Sequence, residues 1–399
     1  MKEQPIRIGV IGLGNRGRHF AVEWNRLPAC RVTACCERDG AVLESARSAI
    51  GNHAIAYYDD MDRMLAEADL DAVVVATEER HHRECGVAVL RAGKHLFLEK
   101  PMAQTVEDCD ALIRAWEPTN VVFMVGLELR YCSLCQAMKE ILDRGDIGEV
   151  KIAYAVDNVS VGGDYYFHGP RRRRDRTVSL LLEKGVHTID LMNWFVGSTP
   201  VRVYSETGLD VFGGDAPNDL TCPECPQRDT CPYSVGGPGV ELDYGGVRLR
   251  EAGCVYAREI DVDDNAVTLI RYAGGAKLMY CECHFAPDYN RHFTLIGTKG
   301  RMTGFYNNEQ DFRIDLAYRH TSKSEVIFPP RREGSHGGGD AAIAEQFLSL
   351  VAGGRRACPG VLGARNAAAV AIAADQSSRT GRPETIPPYE EKSGVEYPP

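Results

Sequence analysis

The sequence predicts an α/β architecture: a doubly wound parallel sheet, followed by a second unit of α+β type on a mostly antiparallel sheet. Three observations carry this prediction. Across residues 1–127, short apolar runs rich in Val and Ile alternate with helical stretches, the order that βαβ units require. The first run, Ile6 to Ile11, passes directly into a glycine-spaced turn and a helix. From Val150 onward, strand-like runs succeed one another without regular helices between them.

The elements of the first part follow in order. After the strand Ile6 to Ile11, Gly12-Leu13-Gly14-Asn15-Arg16-Gly17 opens a helix that runs through Leu27. In a dinucleotide fingerprint the first glycine permits the tight turn, the second lets main chain approach a pyrophosphate, and the third lets helix pack on strand. A second strand, Arg31 to Cys36, delivers Glu37 about twenty residues on, where a carboxylate accepts hydrogen bonds from adenosine ribose hydroxyls. Glu37 repels a 2′-phosphate, so NAD is expected over NADP. Arg38 beside it counts the other way, as a partner for phosphate or adenine. A helix at 41–50, a strand at 72–76, a helix at 83–92, a strand at 95–98, a helix at 106–116 and a strand at 121–125 complete the sheet. The 77–82 loop leaves its carboxyl edge, which puts Thr77, His81 and His82 near a cofactor.

The strand at 95–98 ends in Glu99-Lys100-Pro101. Proline stops further ladder donation, and the lysine arrives at the edge where open α/β sheets bind their ligands. Beside a cationic nicotinamide ring, a lysine loses proton affinity and is able to hydrogen-bond an alcohol or take its proton. Lys100 is therefore the first candidate for chemistry; the alternative is a strand-end lysine in water.

Composition narrows the class. A chain of 399 residues, 44% hydrophobic and 26% charged, buries a large core and suggests two domains. The net charge of -10 argues against nucleic acid as a partner. No apolar run is long enough to span a bilayer, and the first residues enter a strand without a signal-peptide core, so a cytoplasmic protein is expected. The 14 cysteines are scattered, which fits reduced thiols better than a disulfide framework.

In the second part a helix near 134–144 precedes strands at 150–156, 201–205, 266–272, 276–281 and 293–296. Between the first two lies Glu183 to Trp194; if helical, it sets Glu183, His187, Asp190 and Trp194 on one face. Ahead of it, Tyr165-Tyr166-Phe167-His168 and Arg171 to Arg174 offer aromatic faces and cations for a sugar pocket, the alternative being a solvated or interface loop. Within an insertion near 206–260, Cys222, Cys225, Cys231 and Cys254 suit a closed, all-cysteine zinc site of structural kind, against disulfides or unligated thiols. Helices near 341–351 and 366–377 follow, with Asp340 as a cap, the alternative being that His336 or Asp340 reaches the active site, and the tail from Pro387 reads as extended.

Taken together, the 12–17 glycine turn, the Thr77 loop ending in His82, Glu99-Lys100-Pro101, Gly126 through Arg130-Tyr131, Glu183 to Trp194, Gly297 to Gly300 and His336 to Asp340 resemble the glucose-fructose oxidoreductase, inositol dehydrogenase and MocA (Gfo/Idh/MocA) family. The resemblance implies a Rossmann domain at 1–127, with 128–399 as a substrate-binding domain on an open sheet whose outer face supports homo-oligomers. It implies hydride exchange between NAD and a hydroxyl of a sugar or cyclitol, or, as in some relatives, an NAD-dependent glycosidase that oxidises, eliminates, hydrates and re-reduces. His187 then works with Lys100 on the hydroxyl proton. Glu183 stands where the family usually has aspartate, and with Lys184 it shapes the site. Arg130, Tyr166, His168 and Asp190 are the expected substrate contacts, with Asp190 also an orienter of His187.

Overall fold

The computed structural model describes residues 4–160, 165–235, 252–307, 311–354 and 356–398, with the main chain of 243–244 and 247–248. The rest of the insertion between 236 and 251 lies outside the described residues. The chain forms two compact units, one of residues 1–128, 340–368 and 389–399, the other of 129–339 and 369–388. The C-terminal stretch is thus divided between the units, whereas the sequence assigns all of 128–399 to the second.

In the first unit, β1 (Ile6–Ile11), β2 (Cys30–Cys36), β3 (Ala56–Tyr58), β4 (Ala72–Val75), β5 (His95–Leu98) and β6 (Phe123–Val125) form one sheet in the order β3-β2-β1-β4-β5-β6. Every pairing is parallel. This is the doubly wound Rossmann order, whose ligand crevice opens where the winding reverses, outside the carboxyl ends of β1 and β4. β4 reads Ala-Val-Val-Val and is buried throughout, as a strand covered on both faces must be. The helices α1 (Asn15–Glu23), α2 (Gly40–Ile50), α3 (Met61–Glu67), α4 (His82–Arg91) and α5 (Val106–Trp116) make the crossovers. α2, α3 and α5 start on side-chain caps from Asp39, Asp60 and Thr105. α1 stops before the expected Leu27, because the chain tightens at Trp24 and packs that indole 5.2 Å from Phe97. The tail is extended but anchored: the Tyr389 and Tyr397 hydroxyls both donate to Glu117, at 2.7 and 2.6 Å.

The second unit begins with α6 (Ser133–Asp143) and β7 (Val150–Asn158), followed by α7 (Val186–Val196) and β8 (Pro200–Gly208). A two-rung ladder of β9 (Asp243–Tyr244) and β10 (Val247–Arg248) lies in the insertion. Then come β11 (Asn265–Tyr272), β12 (Lys277–Cys283), β13 (Asn290–Gly297), β14 (Gly300–Asn307), β15 (Arg313–Tyr318), β16 (Ser324–Ile327) and β17 (Glu384–Thr385). The nine-stranded order is β16-β15-β14-β13-β7-β12-β11-β8-β17. Only β7 and β12 pair in parallel; the other pairs are antiparallel. Alternation is clean in β11 and β12, so one face is interior and one is not. α7 lies against β7 on the interior face.

The outer face carries Ile152, Tyr154, Val267, Leu269, Met279 and Ile296, each between 36% and 52% exposed. Register places Ile296 opposite Ile152, and runs Tyr154, Met279 and Leu269 across three strands in one row. They form a continuous apolar band. Among the described residues no helix is long and apolar enough to cross a membrane.

Candidate active site

At the carboxyl end of β1, Gly12 has φ +85°, and a Cβ there would lie 2.7 Å from the Thr77 amide nitrogen. A Cβ on Gly17 would lie 1.7 Å from the Gly12 carbonyl oxygen. Only glycine fits at either position. Gly14 differs: nothing lies within 4 Å of its Cβ position, and it stands exposed as the N-cap of α1 next to exposed Asn15. The turn is thus closed on its protein side and open at the helix N-terminus, where amide dipoles favour an anion. That arrangement fits the pyrophosphate of a dinucleotide. Glu37 sits at the mouth of the turn, its carboxylate accepting from the Leu13 amide at 2.9 Å and the Asp39 amide at 3.1 Å. The Leu13 N–H is therefore spent on Glu37, not on a phosphate.

Arg16, expected at the cofactor, is turned elsewhere. Its guanidinium meets Glu99 and Asp340, each at 2.9 Å. Burial opposes its charge, but Glu99, Asp340 and Glu128 outweigh burial and hold it well above its ordinary pKa. Asp340, read from the sequence as a cap, is an ion-pair partner. Arg38 reaches His81 at 3.0 Å; burial first, then Arg38 and Arg80, lower the pKa of that imidazole. His82 was expected to touch the cofactor. It is buried, with Nδ1 2.8 Å from the Pro101 carbonyl and Nε2 3.1 Å from that of Thr77, so its ring ties the 77 loop to the end of β5. Lys100 lies half-buried at that end; its amide donates to the Glu99 carboxylate at 3.0 Å, and its peptide bond to Pro101 is cis.

In the second unit, residues Leu181–Gly185 form a π-turn that runs into α7. Wider turns of this kind cluster at functional sites. The regular spacing assumed from sequence fails here, so Glu183 and Asp190 address different partners. Glu183 is buried and takes an ion pair from Arg171 at 2.9 Å. Arg171 also donates to the Tyr165 hydroxyl at 3.2 Å. Lys184, likewise buried, places Nζ 3.5 Å from the Tyr289 hydroxyl and 5.3 Å from the centre of its ring. It also acts on Asp157, whose carboxylate is bound by Arg291 at 3.0 Å and Thr188 at 3.0 Å. His187 is buried, with its ring 6.0 Å from that of His336. Against Gly185 of the π-turn, Glu282 accepts from the Tyr280 hydroxyl and binds His284, both at 2.6 Å.

The structure gives the four expected substrate contacts partners within the chain. Arg130 and Asp190 form a buried bidentate pair at 2.6 and 2.8 Å, with the guanidinium 5.3 Å from the Trp194 ring, so each satisfies the other. Tyr166 belongs to an apolar cluster with Phe167, Phe212 and Val255 at the base of the insertion. His168 Nδ1 bonds the Gly253 carbonyl at 2.6 Å, within the same insertion. Nor is the arginine run a solvated face. Arg172 pairs with Glu259, and Arg174 with Asp263 and Asp375.

Sequence reasoning missed Asp157, Arg291, Glu282 and Tyr289, and named Arg171 only as part of its arginine run. Inward-facing Tyr280 and Glu282 were readable as polar residues on the apolar phase of β12; the others left no local signal.

Residues 6–127 match the family described as the oxidoreductase family with an NAD-binding Rossmann fold, and residues 135–303 match the GFO/IDH/MocA C-terminal domain. The putative oxidoreductase YteT of Bacillus subtilis (strain 168) is 28% identical over 322 residues, 73% of this chain and 74% of that protein. The glycosyl hydrolase family 109 protein 2 of Shewanella sp. (strain MR-4) is 37% identical over 381 residues, 88% of this chain and 78% of its own length. Among solved structures, a levoglucosan dehydrogenase in complex with NADH and levoglucosan superposes with a TM-score of 0.74 at 20% identity, covering 96% of this chain and all of that one. At that identity the likeness establishes the fold. Domain matches, a relative spanning most of the chain and the parallel sheet with its glycine turn agree: the chain belongs to the Gfo/Idh/MocA family, as an NAD-binding oxidoreductase.

Proposed function

We propose that the protein is a cytoplasmic NAD-dependent oxidoreductase acting at a hydroxyl carbon of a sugar, glycoside or cyclitol. The observation that carries this is the π-turn and α7, which hold Glu183, Lys184 and His187 in the interior of one unit of a chain whose other unit carries a dinucleotide cradle. Main chain of Gly12 to Gly17 receives the pyrophosphate and Glu37 the adenosine ribose, which favours NAD over NADP. The nicotinamide supplies hydride acceptance when bound. His187 takes the proton that leaves the hydroxyl, and Lys100 stabilises the negative charge developing on that oxygen. Arg171 fixes the orientation of Glu183 and Tyr289 that of Lys184, so two buried charges of opposite sign face a polyol in set positions.

Lys100→Ala and His187→Ala each lower turnover by about 10²–10⁴-fold, with NAD affinity, read by fluorescence titration, unchanged. Full turnover in both variants would remove the assignment.

The 37% identical family 109 relative favours a second reading with the same residues. A sugar carbon is oxidised transiently, the adjacent C–H is thereby acidified, the aglycone is eliminated, water adds, and the carbon is reduced again. We also propose that the outer apolar band of the nine-stranded sheet seats a second copy of this chain, since contiguous exposed apolar area of this kind marks an interaction surface. Leu269→Lys with Met279→Lys then yields a smaller species by light scattering; an unchanged mass would place the interface elsewhere.

A further inference from the structure

Among its described residues the cysteine-rich insertion shows a short 3₁₀ turn at Cys222–Glu224, a two-rung ladder, and isolated bridges at Ala216–Ala257 and Thr221–Gly253. Its base packs on the apolar cluster around Phe167 and Phe212. Beyond that base, Cys222, Cys225, Cys231 and Cys254 line one small cavity of about 20 Å³ with His168 and Arg228 in its wall. All four thiols are free.

We propose that these four cysteines form an all-thiolate zinc site that holds the insertion together, independent of the hydride chemistry. Two tight turns present the sulfurs. The Cys225 amide donates to the Cys222 carbonyl at 3.2 Å, and the Ser234 amide to that of Cys231 at 3.2 Å, so each turn raises its cysteine on a short knuckle. The Val235 amide bonds the Cys222 sulfur, an arrangement that stabilises a thiolate. Cys254 is brought in from the far end of the insertion by a hydrogen bond that its amide donates to the Leu220 carbonyl at 2.9 Å. Four thiolates around a divalent ion leave a net charge of about -2, and Arg228 in the wall offsets part of it. Arg172, itself paired with Glu259, donates to the Cys254 carbonyl at 3.2 Å and so helps to fix that end of the site.

In a tetrahedral zinc site with Zn–S near 2.3 Å, sulfurs stand about 3.8 Å apart. Among the described residues no three of these four sulfurs come within 4.8 Å of one another, so loading draws the turns that carry them inward. The spacing of Cys222, Cys225, Cys231 and Cys254 does not match the common iron–sulfur runs, and the test separates the two metals.

The full chain, purified without chelators or a histidine tag, is analysed for zinc, iron and acid-labile sulfide. The expected result is about one zinc per chain, released by a mercurial thiol reagent. In a Cys225→Ser, Cys231→Ser variant zinc falls below a tenth of an equivalent, and trypsin cuts after Arg228 at least tenfold faster; Cys30→Ser keeps its zinc. Should the double variant fail to fold, cobalt substitution of the unmodified chain gives the intense visible bands of tetrahedral thiolate ligation. Less than half an equivalent of zinc, zinc retained by the double variant, an intact mass showing two disulfides, or iron with sulfide in place of zinc would each overturn the proposal.

Discussion

At the glycine turn of the first unit the working groups are main-chain ones, and what fixes them is the absence of side chains at Gly12 and Gly17. Around α7 of the second unit the polar groups are buried side-chain charges, and each is held by a named partner: Glu183 by Arg171, Lys184 by Tyr289, Asp190 by Arg130 and Asp157 by Arg291. The two devices fail differently. A turn built from excluded volume fails by steric collision, whereas a pair of buried charges fails by leaving one charge unmatched in a low-dielectric interior.

The sharpest contrast lies within the turn itself. In Gly17→Ala the new methyl meets the Gly12 carbonyl at 1.7 Å, which the backbone cannot relieve in place. Melting of the first unit and NAD binding are both expected to be lost, a cost of more than about 4 kcal/mol. Gly14→Ala, with open space around it, keeps the melting temperature and weakens NAD by roughly tenfold, about 1.4 kcal/mol. Equal damage from the two would break the account of the turn.

Next in size are the buried pairs. Arg130→Met strands the Asp190 carboxylate and costs about 3–5 kcal/mol in urea unfolding, while Arg130→Met with Asp190→Leu recovers most of it. Additive losses would mean that the pair does not act as a unit.

Asp157 gives the pH signature of the second unit. Burial raises its pKa, but Arg291 and Lys184 outweigh burial and hold the carboxyl below its usual value. A carboxyl depressed in the fold stabilises above its unfolded pKa, about 4, and that stability is lost as pH falls through the folded value. Acid unfolding followed by tryptophan fluorescence should therefore steepen below pH 4 in the parent chain and flatten in Asp157→Asn; an unchanged acid limb would remove Asp157 from the argument.

The smallest effect belongs to Arg171, which is partly exposed and pairs with one carboxylate. Arg171→Ala costs roughly 1 kcal/mol of stability, but raises KM for the sugar as Glu183 loses its orientation, and Arg171→Lys restores part of it. An unchanged KM in both variants leaves the ion pair with a role in stability alone.

The same contrast explains what could be read in advance. Steric requirements write themselves into residue type at fixed spacing, so Gly12, Gly14, Gly17, Glu37 and the Lys100 strand end are all placed by the sequence. Partnerships across the fold do not. Asp157 and Arg291 are 134 positions apart, and nothing local marks either as half of a pair. Tyr166 and His168 lie close in sequence to the Glu183 helix, but apolar burial draws Tyr166 to the base of the insertion and a hydrogen bond with the Gly253 carbonyl holds His168 there. The π-turn adds a wider step that a fixed helical period cannot show. One signal stands in plain sight: Cys132-Ser133-Leu134-Cys135 opens α6, and the two buried thiols hydrogen-bond to each other, which lowers the Cys132 pKa and raises that of Cys135.

The central claim is net oxidation of a hydroxyl by this chain. Its most direct test incubates the purified enzyme with a trace of NAD and a panel of free sugars, cyclitols and chromogenic glycosides, following NADH and released aglycone together. The account predicts NADH and ketone forming in step with the NAD supplied. Aglycone released far in excess of NAD, with no net NADH, would contradict it and establish a redox-cycling glycosidase on the same residues.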